Sequence, residues 1–196
     1  MTAQTVPPKK RVQTRLAPVV RRRQIVEEAT RLISISGFKS VSLVDIAEAC
    51  GIRGPSVLHH FPSMNDLLAA VLDHRDEVDT EEAPTLEEIA FPSSTSAYLR
   101  RAAERNLGRP ELIRLYVILG AEAVDAAHPA HQYFLDREER NYNGFAQMLS
   151  WKANPLWAAR ELMAFWTGLE RQWVMDPAVD FLAIWDNFAE RFFVRD

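Results

Sequence analysis

Residues 42 to 62, SLVDIAEACGIRGPSVLHHFP, place two short helical patterns on either side of a Cys50-Gly51-Ile52 turn, and few arrangements of a chain satisfy that spacing. In the first pattern Leu43, Ile46 and Ala47 recur at helical intervals behind Ser42, whose hydroxyl can accept an orphan N–H at the helix start. Gly51 supplies the turn and Ile52 plugs it. Val57, Leu58 and Phe61 then fall where they would bury one face of a second short helix. The other face carries Arg53, Gly54, Ser56, His59 and His60, small or hydrogen-bonding groups suited to base edges and phosphates. This is the pattern of a helix-turn-helix, and its expected partner is double-stranded DNA.

The charge distribution agrees. A formal net charge of −4 divides into +6 over residues 1 to 62 and −10 over residues 63 to 196. Phosphate neutralisation supplies much of the affinity for DNA, so a basic block beside an acidic body suits a DNA-reading head on a module with another task. Residues 1 to 17 are expected to form a disordered basic arm with Lys9, Lys10, Arg11 and Arg15, either a clamp on DNA or a solvated leader. A first helix over about 18 to 36 follows, with Ile25, Ala29, Leu32 and Ile33 as its core stripe and Gly37 as its C-cap. Phe38 packs the joint.

After the motif the chain reads as one helix after another. Ser63-Met64-Asn65-Asp66 is a capping sequence, and Leu67, Leu68, Val71 and Leu72 make a connecting helix toward about residue 80. Acidic residues 76 to 88 with Pro84 form a loose connection. Pro110, Pro129, Pro155 and Pro177 each stand where a first helical residue belongs, with Asn154 and Asp176 as caps before the last two. No segment sustains period-two alternation. The expected fold is all-α: a three-helix head over residues 18 to 62, and residues 63 to 196 as a connecting helix and a larger bundle.

One cysteine cannot form an internal disulfide, and Cys50 at the end of the motif's first helix reads as buried packing. No apolar leader or bilayer-length apolar run is present in the sequence, so the expected setting is a reducing cytoplasm without membrane contact.

The segment from Arg23 to Leu72, about a quarter of the chain, resembles the TetR family of bacterial one-component regulators. The resemblance rests on the first helix, Gly37-Phe38, Ser42, Ile46-Ala47, Gly51-Ile52, His60-Phe61-Pro62-Ser63 and Leu67-Leu68, linked positions far more specific than a lone helix-turn-helix. It implies a homodimer whose heads read a palindromic operator and whose bundle dimerises and holds an inducer. Two positions depart from the family pattern: Leu58 stands where Tyr is common and Met64 where Lys is common, both usual phosphate contacts. By the same resemblance Ser42 caps the second helix and touches phosphate, with Lys39 beside it. Gly54, Pro55 and Ser56 open the recognition helix, Arg53 and His59 contact bases or backbone, and His60 either meets phosphate or packs.

All five tryptophans follow residue 150. Leu162, Phe165, Trp166, Leu169 and Trp173 form one apolar stripe, and Phe181, Ile184, Trp185, Phe188 and Phe192 form another. An intrachain core accounts for part of each. The resemblance implies that these two helices also make a four-helix dimer interface, with Leu162, Leu169, Trp173, Phe181, Trp185 and Phe188 as its residues.

For an inducer, Leu112, Leu115, Tyr116, Leu119 and Glu122 line one helix face, while Phe134, Arg137, Asn141, Phe145 and Met148 share another. Arg137 and Asn141 are polar groups on an apolar stripe and need partners, either an Arg137–Glu122 ion pair, solvent or a ligand. The candidate cavity is bounded by Tyr98, Tyr116, Leu119, Glu122, Phe134, Arg137, Asn141 and Trp166 and would suit a small apolar or amphipathic molecule. His128 and His131 lack a third neighbour for a metal, so neither metal nor cofactor is expected.

No Gly-x-Ser-x-Gly elbow, phosphate-binding glycine loop, His-Glu-x-x-His or Cys-x-x-Cys occurs, which argues against an enzyme. A ligand-released repressor is the favoured reading. An effector-independent architectural protein and an activator with the same head stand as alternatives.

Overall fold

The computed structural model describes residues 16–80 and 91–194, and for residues 75–80 the backbone alone. Most of the expected basic arm, and the acidic connection from residue 81 on, lie outside the described residues. Helices α1 (Pro18–Ser36), α2 (Leu43–Ala49), α3 (Gly54–His60), α4 (Met64–Thr80), α5 (Pro92–Leu107), α6 (Pro110–Glu122), α7 (His131–Met148), α8 (Pro155–Met175) and α9 (Phe181–Phe192) follow one another, with a 3-10 turn at Phe38–Ser40. The fold is all-α, with no strand among the described residues.

Local chemistry sets most of these boundaries. Pro18, Pro92, Pro110 and Pro155 open α1, α5, α6 and α8, where a missing N–H costs no intrahelical bond. Ser42 Oγ accepts the Asp45 N–H at 3.3 Å while Asp45 Oδ2 accepts the Ser42 N–H at 2.8 Å, a reciprocal cap on α2. Ser63 starts α4, its hydroxyl accepting the Asp66 N–H at 3.1 Å and donating to Asp66 Oδ2 at 2.7 Å. Gly37, at φ 77°, ends α1, and its N–H reaches the Ile33 carbonyl at 2.9 Å.

Two proline expectations fail. Pro129 lies in the turn before α7, which begins at His131, and Pro177 lies in the turn before α9, which begins at Phe181. A proline's fixed φ serves a turn as well as a first helical residue. Asp176 caps that turn, accepting the Ala178 N–H at 3.0 Å, and Asp180 is the cap of α9, accepting the Ala183 N–H at 3.0 Å.

Two apolar cores result. The first gathers Ile25, Ala29 and Ile33 of α1, Ile46 and Ala47 of α2, Val57 and Phe61 around α3, and Leu67, Leu68 and Val71 of α4. It continues without a break into Leu115 and Leu119 of α6. Leu58, expected inside, is instead 45% exposed, because the buried side of the short α3 runs through Val57 and Phe61.

The second core joins Leu99 and Ala103 of α5, Leu162 and Leu169 of α8, and Phe181, Trp185, Phe188 and Phe192 of α9. Arg100 ties α5 to α9, its Nε 2.8 Å from Asp186 Oδ1 and its Nη2 3.2 Å from Oδ2. Five of the six residues expected at a dimer interface, Leu162, Leu169, Phe181, Trp185 and Phe188, are buried inside this one chain, and Trp173 is half-buried against them. Apolar spacing marks burial, and here the chain's own bundle uses that burial.

Candidate nucleic-acid interface

Val57, fully buried, and Phe61, 1% exposed, root α3 in the first core. Helical geometry then turns Pro55, Leu58 and His59 outward, with Arg53 exposed at the N-cap. Gly54, Ser56 and His60 are half-buried along the flank. Arg22 of α1 lies over the Phe61 ring, 4.6 Å from its centroid, so a guanidinium stands beside the end of the recognition helix. Burial, then the neighbouring His59, Arg21 and Arg22, push His60 below the usual histidine range, since each disfavours a further positive charge.

Ser42 is exposed at the start of α2, and its hydroxyl donates to Asp45 Oδ2 at 2.6 Å. That bond and the Ser42 N–H hold the Asp45 carboxyl below the usual carboxylate range. Any phosphate drawn to Ser42 must therefore meet a serine whose proton is already committed. Lys39 is exposed on the 3-10 turn, its Nζ 3.5 Å from Asp125 Oδ2. Cys50 is buried, and desolvation raises its thiol, in keeping with a packing role.

The residues chosen for an effector cavity divide between two places. Tyr116, Leu119, Glu122, Phe134 and Arg137 lie along α6 and α7. The Arg137 guanidinium stacks 4.4 Å over the Tyr116 ring, and Phe134 meets Tyr116 edge-on at 5.7 Å. Tyr98 and Trp166 pack instead on the second core, where the Trp166 indole N–H donates to Glu170 at 2.8 Å. Asn141 is exposed, so it does not share an interior with Arg137.

Glu122 turns toward the head. Its Oε2 accepts the Phe38 N–H at 2.9 Å, across 84 residues of sequence, and so caps the 3-10 turn of the head from the end of α6. Phe38 also meets the ring of His128 edge-on at 5.4 Å. His128 is 4% exposed; its Nδ1 accepts the Ala130 N–H at 3.2 Å, and its Nε2 lies 3.8 Å from Glu122 Oε2. His131 uses Nδ1 on the Ala123 carbonyl at 2.7 Å, so both imidazoles serve the turn. Sequence inspection missed this head-to-body joint, because nothing local links residue 38 to residue 122.

Burial pushes His128 below the usual histidine range; Glu122 and Asp125 oppose the shift, and Lys39 reinforces it. A depressed imidazole binds its proton more readily in the unfolded chain, so its contribution to stability falls as pH drops through the ordinary histidine value. The urea midpoint is expected to decrease between about pH 7.5 and about pH 5.5, and His128→Gln to reduce that decrease. An identical drop in the variant would remove His128 as the cause.

A helix-turn-helix with an outward Arg53 and His59 is thus joined through its core to a helical body. The family model for bacterial regulatory proteins of the tetR family matches residues 25–71, the stretch from mid-α1 into α4. Over that stretch, about a quarter of the chain, the sequence is similar to the TetR family. The HTH-type transcriptional regulator LuxR of Vibrio harveyi is 35% identical over 65 residues, 33% of this chain and 32% of that protein. The match thus spans about a third of that relative's length.

Solved structures share the fold over most of the chain. A TetR-family transcriptional regulator from Streptomyces coelicolor aligns with a TM-score of 0.73 at 19% identity, over 88% of this chain and 94% of that one. A transcriptional regulator from Saccharomonospora viridis in complex with choline aligns at 0.72 and 22%, over 88% and 97%. The regulatory protein TetR from Rhodobacter sphaeroides aligns at 0.72 and 18%, over 89% and 100%. Among the described residues no helix is long and apolar enough to cross a membrane.

Proposed function

We propose that the chain is a homodimeric repressor in which residues 18–62, preceded by a basic arm over 1–17, read a palindromic operator. Residues 63–196 dimerise and take a small apolar or amphipathic inducer. The observation that carries the DNA assignment is the outward face of α3, where Arg53 and His59 are exposed on a helix rooted by Val57 and Phe61. Lys39, Ser42, Gly54, Ser56 and His60 complete the contact surface. Arg53→Ala and His59→Ala are each expected to weaken operator binding about tenfold in a mobility-shift assay without changing the helical circular dichroism. Unchanged affinity in both variants would sink the assignment.

Pairing is supported by the face that α8 leaves uncovered. Trp157 and Met175 are 74% and 69% exposed, and Ala164 is exposed on the same side of the helix between them. Beside it lies an open groove of about 420 Å³ lined by Lys152, Asn154, Trp157, Glu161, Phe188 and Arg191, among others. One seven-residue recognition helix reads little sequence, and two heads on half-sites about 34 Å apart read enough. Ala164→Arg places a charge on the uncovered face and leaves the chain's own core intact. It is expected to sediment as a monomer at micromolar concentration, and a dimer of unchanged stability would contradict this surface.

Release by an inducer is supported by the joint at Glu122. A ligand settling near Tyr116, Phe134 and Arg137 would act on the two helices whose connecting turn holds Phe38 and Lys39, and α6 shares the head's core. Thermal-shift screening tests this reading. Stabilisation by a compound that also frees the operator supports it, and failure across a broad library supports an effector-independent regulator.

A further inference from the structure

Leu58 is the larger of two outward apolar residues on α3, the other being Pro55, and hydrogen bonding explains neither. The leucine is 45% exposed, and helical register places it on the same side as Pro55 and His59, away from the buried Val57. Its neighbours on the helix leave it prominent, since Gly54 has no side chain and Ser56 is half-buried. A branched hydrocarbon pressed on a phosphate strips water from the charge with nothing in return, whereas one pressed on another hydrocarbon removes apolar surface from water. Duplex DNA offers one such group in the groove that admits a helix. It is the 5-methyl of thymine, which projects from the major-groove edge.

We propose that Leu58 reads the 5-methyl group of one thymine in each half-site, making it a specificity-determining residue beside the polar contacts of Arg53 and His59. The proposal rests on α3 being the recognition helix. It distinguishes thymine from uracil through a methyl group alone, so it is separable from any hydrogen bond in the interface.

The test uses the full chain and a duplex selected by it from a random library, with each thymine then replaced in turn by uracil. One thymine in each half-site is expected to respond, uracil there weakening binding by the unaltered protein about fourfold, the worth of one buried methyl. Leu58→Ala should lose about the same factor on the thymine duplex and become indifferent to uracil at that position. The uracil series needs no protein variant, so it stands even if Leu58→Ala perturbs the head. If no thymine responds, or if the response persists in Leu58→Ala, the inference is overturned while the regulator stands. If selection yields no preferred duplex, both fail together.

Discussion

Replacing Trp185 by alanine is expected to lower the unfolding free energy by about 3–5 kcal/mol, the largest single loss in the chain. The side chain is fully buried in the second core. Its ring lies 5.3 Å from Trp166, 5.8 Å from Phe193, 6.0 Å from Phe188 and 6.3 Å from Phe165, so truncation leaves a cavity that four rings cannot all collapse into. The effect should spread, because α9 also anchors α5 through Asp186 and Arg100. Trp185→Phe should cost much less. It keeps an aromatic ring and removes an indole N–H that is buried with no hydrogen-bond partner. Urea unfolding followed by circular dichroism at fixed protein concentration measures both, and a loss below about 1 kcal/mol for alanine would mean that the core is not packed around Trp185.

The second large effect belongs to Gly37. At φ 77° and ψ 160° its backbone occupies a region essentially reserved for glycine. A Cβ there would stand 2.5 Å from Glu122 Oε1. Gly37→Ala therefore strains the end of α1 and also drives away the carboxylate that accepts the Phe38 N–H. Backbone strain and the orphaned N–H together should cost about 2–4 kcal/mol. Glu122→Ala removes both the collision and the bond, so in that background Gly37→Ala should cost only the strain. A double-mutant cycle reads the difference as a coupling energy. Strict additivity would show that the joint between head and body does not depend on this contact.

These two positions show what the chain's local chemistry discloses and what it hides. Gly37, Ser42, Gly51 and Ser63 act on neighbours within a few residues, so caps and turns around them could be read directly and hold in the fold. Pro177 shows the limit of a local signal, since one residue type serves two geometries and α9 starts four residues later.

Leu58 reads as buried from its apolar type yet lies exposed, because a seven-residue helix has too few turns to fix its buried side. The aromatic stripes of α8 and α9 were recognised as apolar, but spacing does not tell the interior of one chain from a surface between two. Trp157, Ala164 and Met175 stay exposed along one side of α8, and Leu156 and Ile184 are exposed as well. Glu122 was legible as an odd acid at the end of an apolar face, but its partner lies 84 residues away and only the fold brings them together.

Sedimentation of the full chain bound to a duplex selected from random sequence tests the account at its centre. Two chains should travel with each duplex, and a scrambled duplex of the same length should bind about a thousandfold more weakly at physiological salt. One chain per duplex, or equal affinity for the scrambled sequence, would contradict a paired, sequence-reading regulator.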